Sequence, residues 1–107
     1  MYHINFAGKP WIQLAGGKEI VLKKGQKLSL DAKFHAPDDA RIEWQREGKE
    51  VRDERSTSTM KAGDAQFLLT GVTKADEGKY TLLIDSPTLG QASGQWNVKI
   101  LGETLVL

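Results

Sequence analysis

Apolar and polar residues alternate with a period of two along most of the chain. In the segment 27–34 every even position is apolar and every odd position is polar, which is the pattern of a strand with one buried face. Ile42 and Trp44 alternate in the same way with Glu43 and Gln45. Further strands are predicted around 20–22, 55–60, 65–72, 79–85 and 94–101. The residues expected to point inward in the last three are Phe67, Leu69, Val72, Tyr80, Leu82, Ile84, Trp96, Val98 and Ile100.

Turn-forming residues separate these segments at regular intervals. They are Gly25, the run Pro-Asp-Asp at 37–39, Glu47-Gly48 and the loop 86–93. The only helical candidate is a single turn within 72–78. Seven or eight short strands without intervening helices predict an all-β fold, an antiparallel sandwich or barrel.

Composition indicates one ordinary domain without a strong charge preference. The 107 residues include 15 basic and 14 acidic side chains, so the net charge is +1. That balance creates no long-range field toward nucleic acid or an anionic membrane, and we expect neither as a partner. No apolar run approaches the roughly 20 residues that span a bilayer.

The chain contains no cysteine, which favours a reducing compartment for a domain of this size. The first residues lack the basic and apolar regions of a signal peptide. Neither Asn5 nor Asn97 is followed by the Ser or Thr of a glycosylation site. These features predict a cytoplasmic location.

No residue pattern points to catalysis. His3 and His35 are too far apart in sequence for a typical metal motif, and there is no cysteine nucleophile. The acidic pairs Asp38-Asp39 and Asp76-Glu77 lie within turns, where carboxylates usually cap and solvate the backbone. We expect no catalytic, cofactor-binding or metal-binding residue and no cofactor.

The order of several motifs resembles an immunoglobulin-like domain of the I-set. The resemblance covers about residues 10 to 102 and implies an antiparallel Greek-key β-sandwich. We therefore expect a domain at 9–102, a linker or preceding segment at 1–8 and a linker at 103–107. The matching motifs are Leu28-x-Leu30-x-Ala32 after Gly25, then Trp44, Phe67-x-Leu69-x-x-Val72 and Asp76-x-Gly78-x-Tyr80-x-Leu82.

The resemblance implies structural roles for four of these residues. Trp44 is expected to fill the space between the sheets, and Tyr80 to send its hydroxyl back to the upstream backbone. Gly78 permits a tight turn, and Asp76 is expected to pair with Arg55.

The chain departs from the family at the paired cysteines, whose positions are occupied by Ala32 and Leu82. A disulfide closing such a loop would contribute roughly 2–4 kcal/mol. We expect close packing of Ala32, Leu82 and Trp44 to replace it.

I-set domains without a disulfide resemble those of the intracellular muscle proteins titin, myomesin, obscurin and myosin-binding protein C. The run 76–85 and the closing segment 98–102 favour a myomesin-like protein of the M-band. The implied function is a non-catalytic module of a sarcomeric or cytoskeletal protein, which spaces neighbouring immunoglobulin-like or fibronectin-like domains and docks filament proteins. The alternative is a ligand-recognition ectodomain of an adhesion or receptor protein, because the same fold serves both.

Partner docking and self-association are expected at edge strands, whose backbone groups are unpaired. The Ser/Thr-rich strand at 55–60 and the strand that contains Trp96 are the candidates. Trp96 itself is expected to point inward. Trp11 is expected to cover one end of the core, with packing against a preceding segment as the alternative.

Overall fold

Alternation along each strand places one row of side chains against an opposing sheet. The computed structural model describes residues 9–14, 17–61 and 63–101. Within them lie nine strands and one 3-10 turn at Lys74–Asp76. The strands are β1 (Trp11–Leu14), β2 (Glu19–Lys23), β3 (Leu28–His35), β4 (Arg41–Arg46), β5 (Lys49–Glu50), β6 (Ser56–Lys61), β7 (Asp64–Leu69), β8 (Gly78–Ser86) and β9 (Gly90–Leu101).

The strands form a four-stranded sheet in the order β1-β3-β7-β6 and a five-stranded sheet in the order β2-β9-β8-β4-β5. All pairs are antiparallel except β2 and β9, which are parallel. The predicted all-β sandwich is confirmed. Strand β1 was not predicted. In the part of the chain that the structure describes, no helix is long and apolar enough to cross a bilayer.

The centre of the sandwich is a cluster of four aromatic side chains. The ring of Trp44 lies 5.3 Å from that of Phe67 and 5.5 Å from that of Trp96, measured between centroids. Phe67 in turn lies 5.9 Å from Tyr80. The expected inward position of Trp96 is confirmed, since only 1% of it is exposed. Both sheets thus contribute rings to one core, at distances typical of favourable aromatic pairs.

Apolar residues occupy the two positions where the family has its paired cysteines. Ala32 is buried and lies beside Ala65 on β7, while Leu82 is buried on β8 between Trp44 and Gly94 of its neighbouring strands. Ala32, Leu82 and Trp44 belong to one hydrophobic cluster. The residues at the two expected cysteine positions are therefore both part of the buried core.

Gly94 has a packing role that the sequence did not reveal. A Cβ atom at this position would lie 2.6 Å from Leu14 Cδ2 and 3.0 Å from Ile12 Cγ2. The missing side chain lets β1, which belongs to the first sheet, pack its inner face on β9 of the second. This contact closes one side of the sandwich.

Trp11 does not cover the core, and the expectation that it does is wrong. Ile12 and Leu14 occupy the inward positions of β1, so the alternation turns Trp11 and Gln13 outward. Trp11 is 46% exposed and lies beside His35 at the end of β3.

Replacing the buried Trp44 by alanine should destabilise the domain far more than replacing the exposed Trp11. We expect Trp44→Ala to lower the free energy of unfolding by roughly 3–5 kcal/mol, because it leaves a cavity bordered by Phe67 and Trp96. Trp11→Ala is the matched control and should cost less than about 1 kcal/mol. Urea denaturation followed by circular dichroism measures both, and equal losses would contradict the assignment of the core.

Candidate functional site

The hydroxyl of Tyr80 ties β8 to the turn that precedes it. It donates a hydrogen bond of 2.6 Å to the backbone carbonyl of Asp76. Burial raises the pKa of Tyr80 to about 12, so the hydroxyl remains a protonated donor at neutral pH. The structure thus places Tyr80 in the geometry that the family resemblance implies, with its ring in the core and its hydroxyl on the backbone.

Arg55 binds two carboxylates at the same end of the sandwich. Its guanidinium donates to Asp76 at 2.9 and 3.1 Å and to Asp53 at 2.8 and 3.0 Å. It also donates to the carbonyl of Gly71 at 3.0 Å. Because Arg55 immediately precedes β6 and Asp76 precedes β8, this group joins the two sheets.

The electrostatics of this group favour the ionised carboxylates. Burial by itself would raise the pKa of Asp76, but hydrogen bonds from Arg55 and from the Thr73 amide outweigh it and lower the pKa. The hydrogen bonds from Arg55 lower the pKa of Asp53 to about 2. Asp53 was not identified from the sequence, although its position two residues before Arg55 would allow the contact.

Gly78 has a backbone conformation that favours glycine. Its φ is +149°, and a Cβ atom there would lie 2.6 Å from Oε2 of Glu47. That carboxylate accepts the amide N–H of Lys79 at 2.8 Å, and the Glu47 amide donates to the Lys79 carbonyl at 2.9 Å. The close approach fixes the β4–β5 turn to the start of β8, a contact that the sequence analysis missed.

Charged side chains at the same end of the domain also bind the backbone of the last strand, β9. Glu77 accepts the amide N–H of Ile100 at 2.9 Å, and Lys74 donates to the carbonyl of Ile100 at 3.0 Å. Hydrogen bonds from Ile100 and Lys74 lower the pKa of Glu77. The end of β9 is therefore fixed by two charged side chains.

Asp39 plays a similar part at the opposite end. Its two carboxylate oxygens accept hydrogen bonds from Ser86 and Thr88, each at 2.7 Å. These bonds lower the pKa of Asp39 and connect the 36–40 loop to the β8–β9 hairpin. The sequence predicts only a turn at Asp39.

These polar groups bind the backbone and one another and so hold the fold. Among the described residues, no three His, Cys, Asp or Glu side chains are placed to hold a metal ion. His35 is half-buried at the end of β3, and His3 lies outside the described residues. The predicted structural residues form two groups. Trp44, Ala32 and Leu82 belong to the core, and Asp76 and Gly78 belong to the polar corner. Tyr80 belongs to both, through its ring and its hydroxyl.

The strands predicted as docking edges are β6 and β9. β6 pairs with β7 on one side and is the outer strand of its sheet, as expected. The expectation that β9 is an edge strand is wrong for its second half, because β2 pairs with 97–101. The parallel addition of β2 was not signalled by the alternating pattern, which carries no information about pairing direction.

The comparisons with known proteins agree with this geometry. The model of the immunoglobulin I-set domain matches residues 13–100, and the chain belongs to that family.

Three solved structures illustrate the similarity. A chimeric titin Z1Z2 carrying an exogenous decorin peptide is 21% identical over 86% of this chain and 95% of that one, with a TM-score of 0.73. A chain from a complex of titin and obscurin-like 1 immunoglobulin domains is 17% identical over 91% and 92%, with a TM-score of 0.72. The titin Z1Z2 domains in complex with telethonin are 20% identical over 88% of this chain and 49% of that one, with a TM-score of 0.74.

Removal of the Tyr80 hydroxyl isolates one buried hydrogen bond. We expect Tyr80→Phe to lower the free energy of unfolding by about 1 kcal/mol, because the ring remains in the core while the Asp76 carbonyl loses its donor. Urea denaturation at neutral pH measures the loss. An unchanged free energy of unfolding would mean that this bond contributes nothing to stability.

The Arg55 group should make stability depend on acid pH. An unfolded Asp has a pKa of about 3.9, whereas the folded pKa of Asp53 is about 2 and that of Asp76 is also lowered. Both carboxylates therefore stabilise the fold above about pH 4, and their contribution is lost as the pH falls toward about 2. In Arg55→Gln this contribution should be largely absent.

Urea midpoints of the wild type and Arg55→Gln between pH 7 and pH 2 test this expectation. The difference between them should be largest at neutral pH and shrink toward pH 2. Arg52→Gln removes an arginine from an exposed pair with Glu50 and is the matched control, with little effect at any pH. A difference for Arg55→Gln that stays constant with pH would contradict the assignment.

Proposed function

We propose that this domain is a non-catalytic structural and protein-interaction module of a multidomain protein of the sarcomere or cytoskeleton. In this proposal it spaces neighbouring immunoglobulin-like or fibronectin-like domains along a chain and withstands tension between them. The observation that carries the proposal is the parallel pairing of β2 with β9. Its mechanical consequence follows from where the chain enters and leaves the sandwich.

The described chain enters and leaves at opposite ends. β1 begins beside His35, at the end where Asp39 meets Ser86. β9 runs away from that end and finishes beside Lys74, and β2 runs parallel to it. A force that separates the two ends pulls β2 and β9 in opposite directions along their common axis. Their hydrogen bonds then carry the load together, rather than breaking one after another.

Side chains reinforce this pair at its loaded end. Glu77 and Lys74 hold the backbone of Ile100, and the Lys24 amide donates to the Leu101 carbonyl at 3.3 Å. These contacts fix the last strand against the corner as well as against β2. The arrangement suits a domain that must stay folded under tension.

The absence of cysteine supports an intracellular, reducing location for such a chain. The similarity in fold to titin domains is consistent with muscle, and two of those titin structures are complexes, one with telethonin and one with an obscurin-like protein. We therefore propose that this domain also docks protein partners, and that its parent is a protein of the titin, myomesin, obscurin and myosin-binding protein C group.

Single-molecule pulling in two geometries tests the mechanical role. Handles at the two chain ends load β2 and β9 in shear. Handles on Lys24→Cys and Leu101→Cys, which lie together at one end of that pair, peel β2 from β9. The chain has no native cysteine, so the attachment is unique. We expect the shear geometry to need a severalfold higher force, and equal forces would overturn the proposed spacer role.

A further inference from the structure

β9 extends past the point where its neighbour β8 begins. The antiparallel register pairs Gly78, the first residue of β8, with Val98. Continued by one more hydrogen-bonded pair, the same register would place Ile100 opposite Asp76. Residues 74–76 form the 3-10 turn instead. On this side, the end of β9 therefore lies alongside a turn and not alongside a strand.

The backbone of Asp76 already makes other hydrogen bonds. Its carbonyl accepts the Tyr80 hydroxyl at 2.6 Å, and its amide donates to the Thr73 carbonyl at 2.9 Å. These bonds belong to the turn that leads into β8. The turn therefore takes the place of the next step in the ladder between β8 and β9.

Two charged side chains supply that step. Glu77 Oε1 accepts the Ile100 amide at 2.9 Å, and Lys74 Nζ donates to the Ile100 carbonyl at 3.0 Å. A hydrogen-bonded pair in an antiparallel ladder exchanges the same two bonds, one given and one received. Lys74 Nζ also lies 3.0 Å from Glu77 Oε1. The two side chains and Ile100 thus close a ring, which we call the ionic rung.

The strength of the ionic rung depends on charge. Hydrogen bonds from the Ile100 amide and from Lys74 lower the pKa of Glu77, and attraction to Lys99 contributes less, so the carboxylate is ionised at neutral pH. Hydrogen bonds with an ionised partner are stronger than neutral ones. The side chains of Lys74 and Glu77 are 63% and 35% exposed, so dissolved ions screen the pair. Backbone bonds between strands lack this dependence.

We propose that the ionic rung is a charge-dependent latch on the strand that carries tension. This inference rests on the spacer role proposed above and names a means of regulating it. Force applied through Leu101 reaches Ile100 first, and bonds from the turn to Ile100 resist sliding of β9 past that turn. Loss of either charge, or screening by salt, frees this end of β9 while the pairing with β2 remains.

Hydrogen exchange of the Ile100 amide tests the ionic rung itself. Glu77→Gln removes the negative charge with little change in shape, and Lys74→Met removes the ammonium group but keeps an aliphatic chain. We expect the Ile100 amide to exchange about tenfold faster in each variant. The Val98 amide is the internal control, because Val98 pairs with the backbone of Gly78. Wild-type protection of Ile100, or an equal loss of protection at Val98, would overturn the proposal.

Single-molecule pulling at the two chain ends tests the latch under load. At low salt and equal force, both variants should unfold roughly three- to tenfold faster than the wild type. Raising the salt from about 0.1 M to about 1 M shortens the Debye length from about 10 Å to about 3 Å, so the wild type should approach the variants. Asp64→Asn is the matched control, since it breaks an exposed pair of 2.9 Å that joins only the side chains of Lys33 and Asp64.

The control should unfold at the wild-type rate and respond to salt as the wild type does. Glu77→Gln and Lys74→Met variants that also do so would overturn the latch. That result leaves the wild-type comparison of shear and peel forces valid, so failure of the latch is distinct from failure of the spacer role. Hydrogen exchange still reads the ionic rung if the spacer role itself fails.

Discussion

The ion pair between Arg55 and Asp76 connects the two sheets where no covalent bond does. Arg55 leads into the outer strand of one sheet, and Asp76 leads into a central strand of the other. Asp76 is 6% exposed, so its charge is stable only while the guanidinium and the Thr73 amide remain bound to it. The backbone carbonyl of Asp76 also receives the Tyr80 hydroxyl, which links this polar corner directly to the aromatic core.

The core divides its space between large rings and very small residues. The rings of Trp44, Phe67, Trp96 and Tyr80 share the core with the small residues Ala32 and Ala65. Gly94 leaves the space that Ile12 and Leu14 of β1 occupy. Such complementarity makes each small position as restrictive as the large one beside it, because an added methyl group must displace a packed neighbour. A domain without a disulfide depends on this fit and on the Arg55 corner together.

Strand positions and the aromatic core followed from the sequence because alternation reports burial directly. The inward rows of β3, β8 and β9 lie where that pattern predicts them. Alternation does not report which strands pair or in which direction, so the parallel contact of β2 with β9 was missed. Trp11 was assigned wrongly because hydrophobicity was weighed above its phase relative to Ile12 and Leu14. The roles of Asp53 and Glu47 depend on contacts across the fold, which no local pattern contains.

The pair formed by β2 and β9 and the outer strand β6 lie on opposite sides of the sandwich. Gly94 brings β1 against β9, so the outer strands β1 and β2 share one side and β5 and β6 share the other. Both features nevertheless meet the same polar corner, since Arg55 fixes the start of β6 while Lys74 and Glu77 fix the end of β9. Asp76 lies between Lys74 and Glu77, so one short segment supplies the contacts to the start of β6 and to the end of β9.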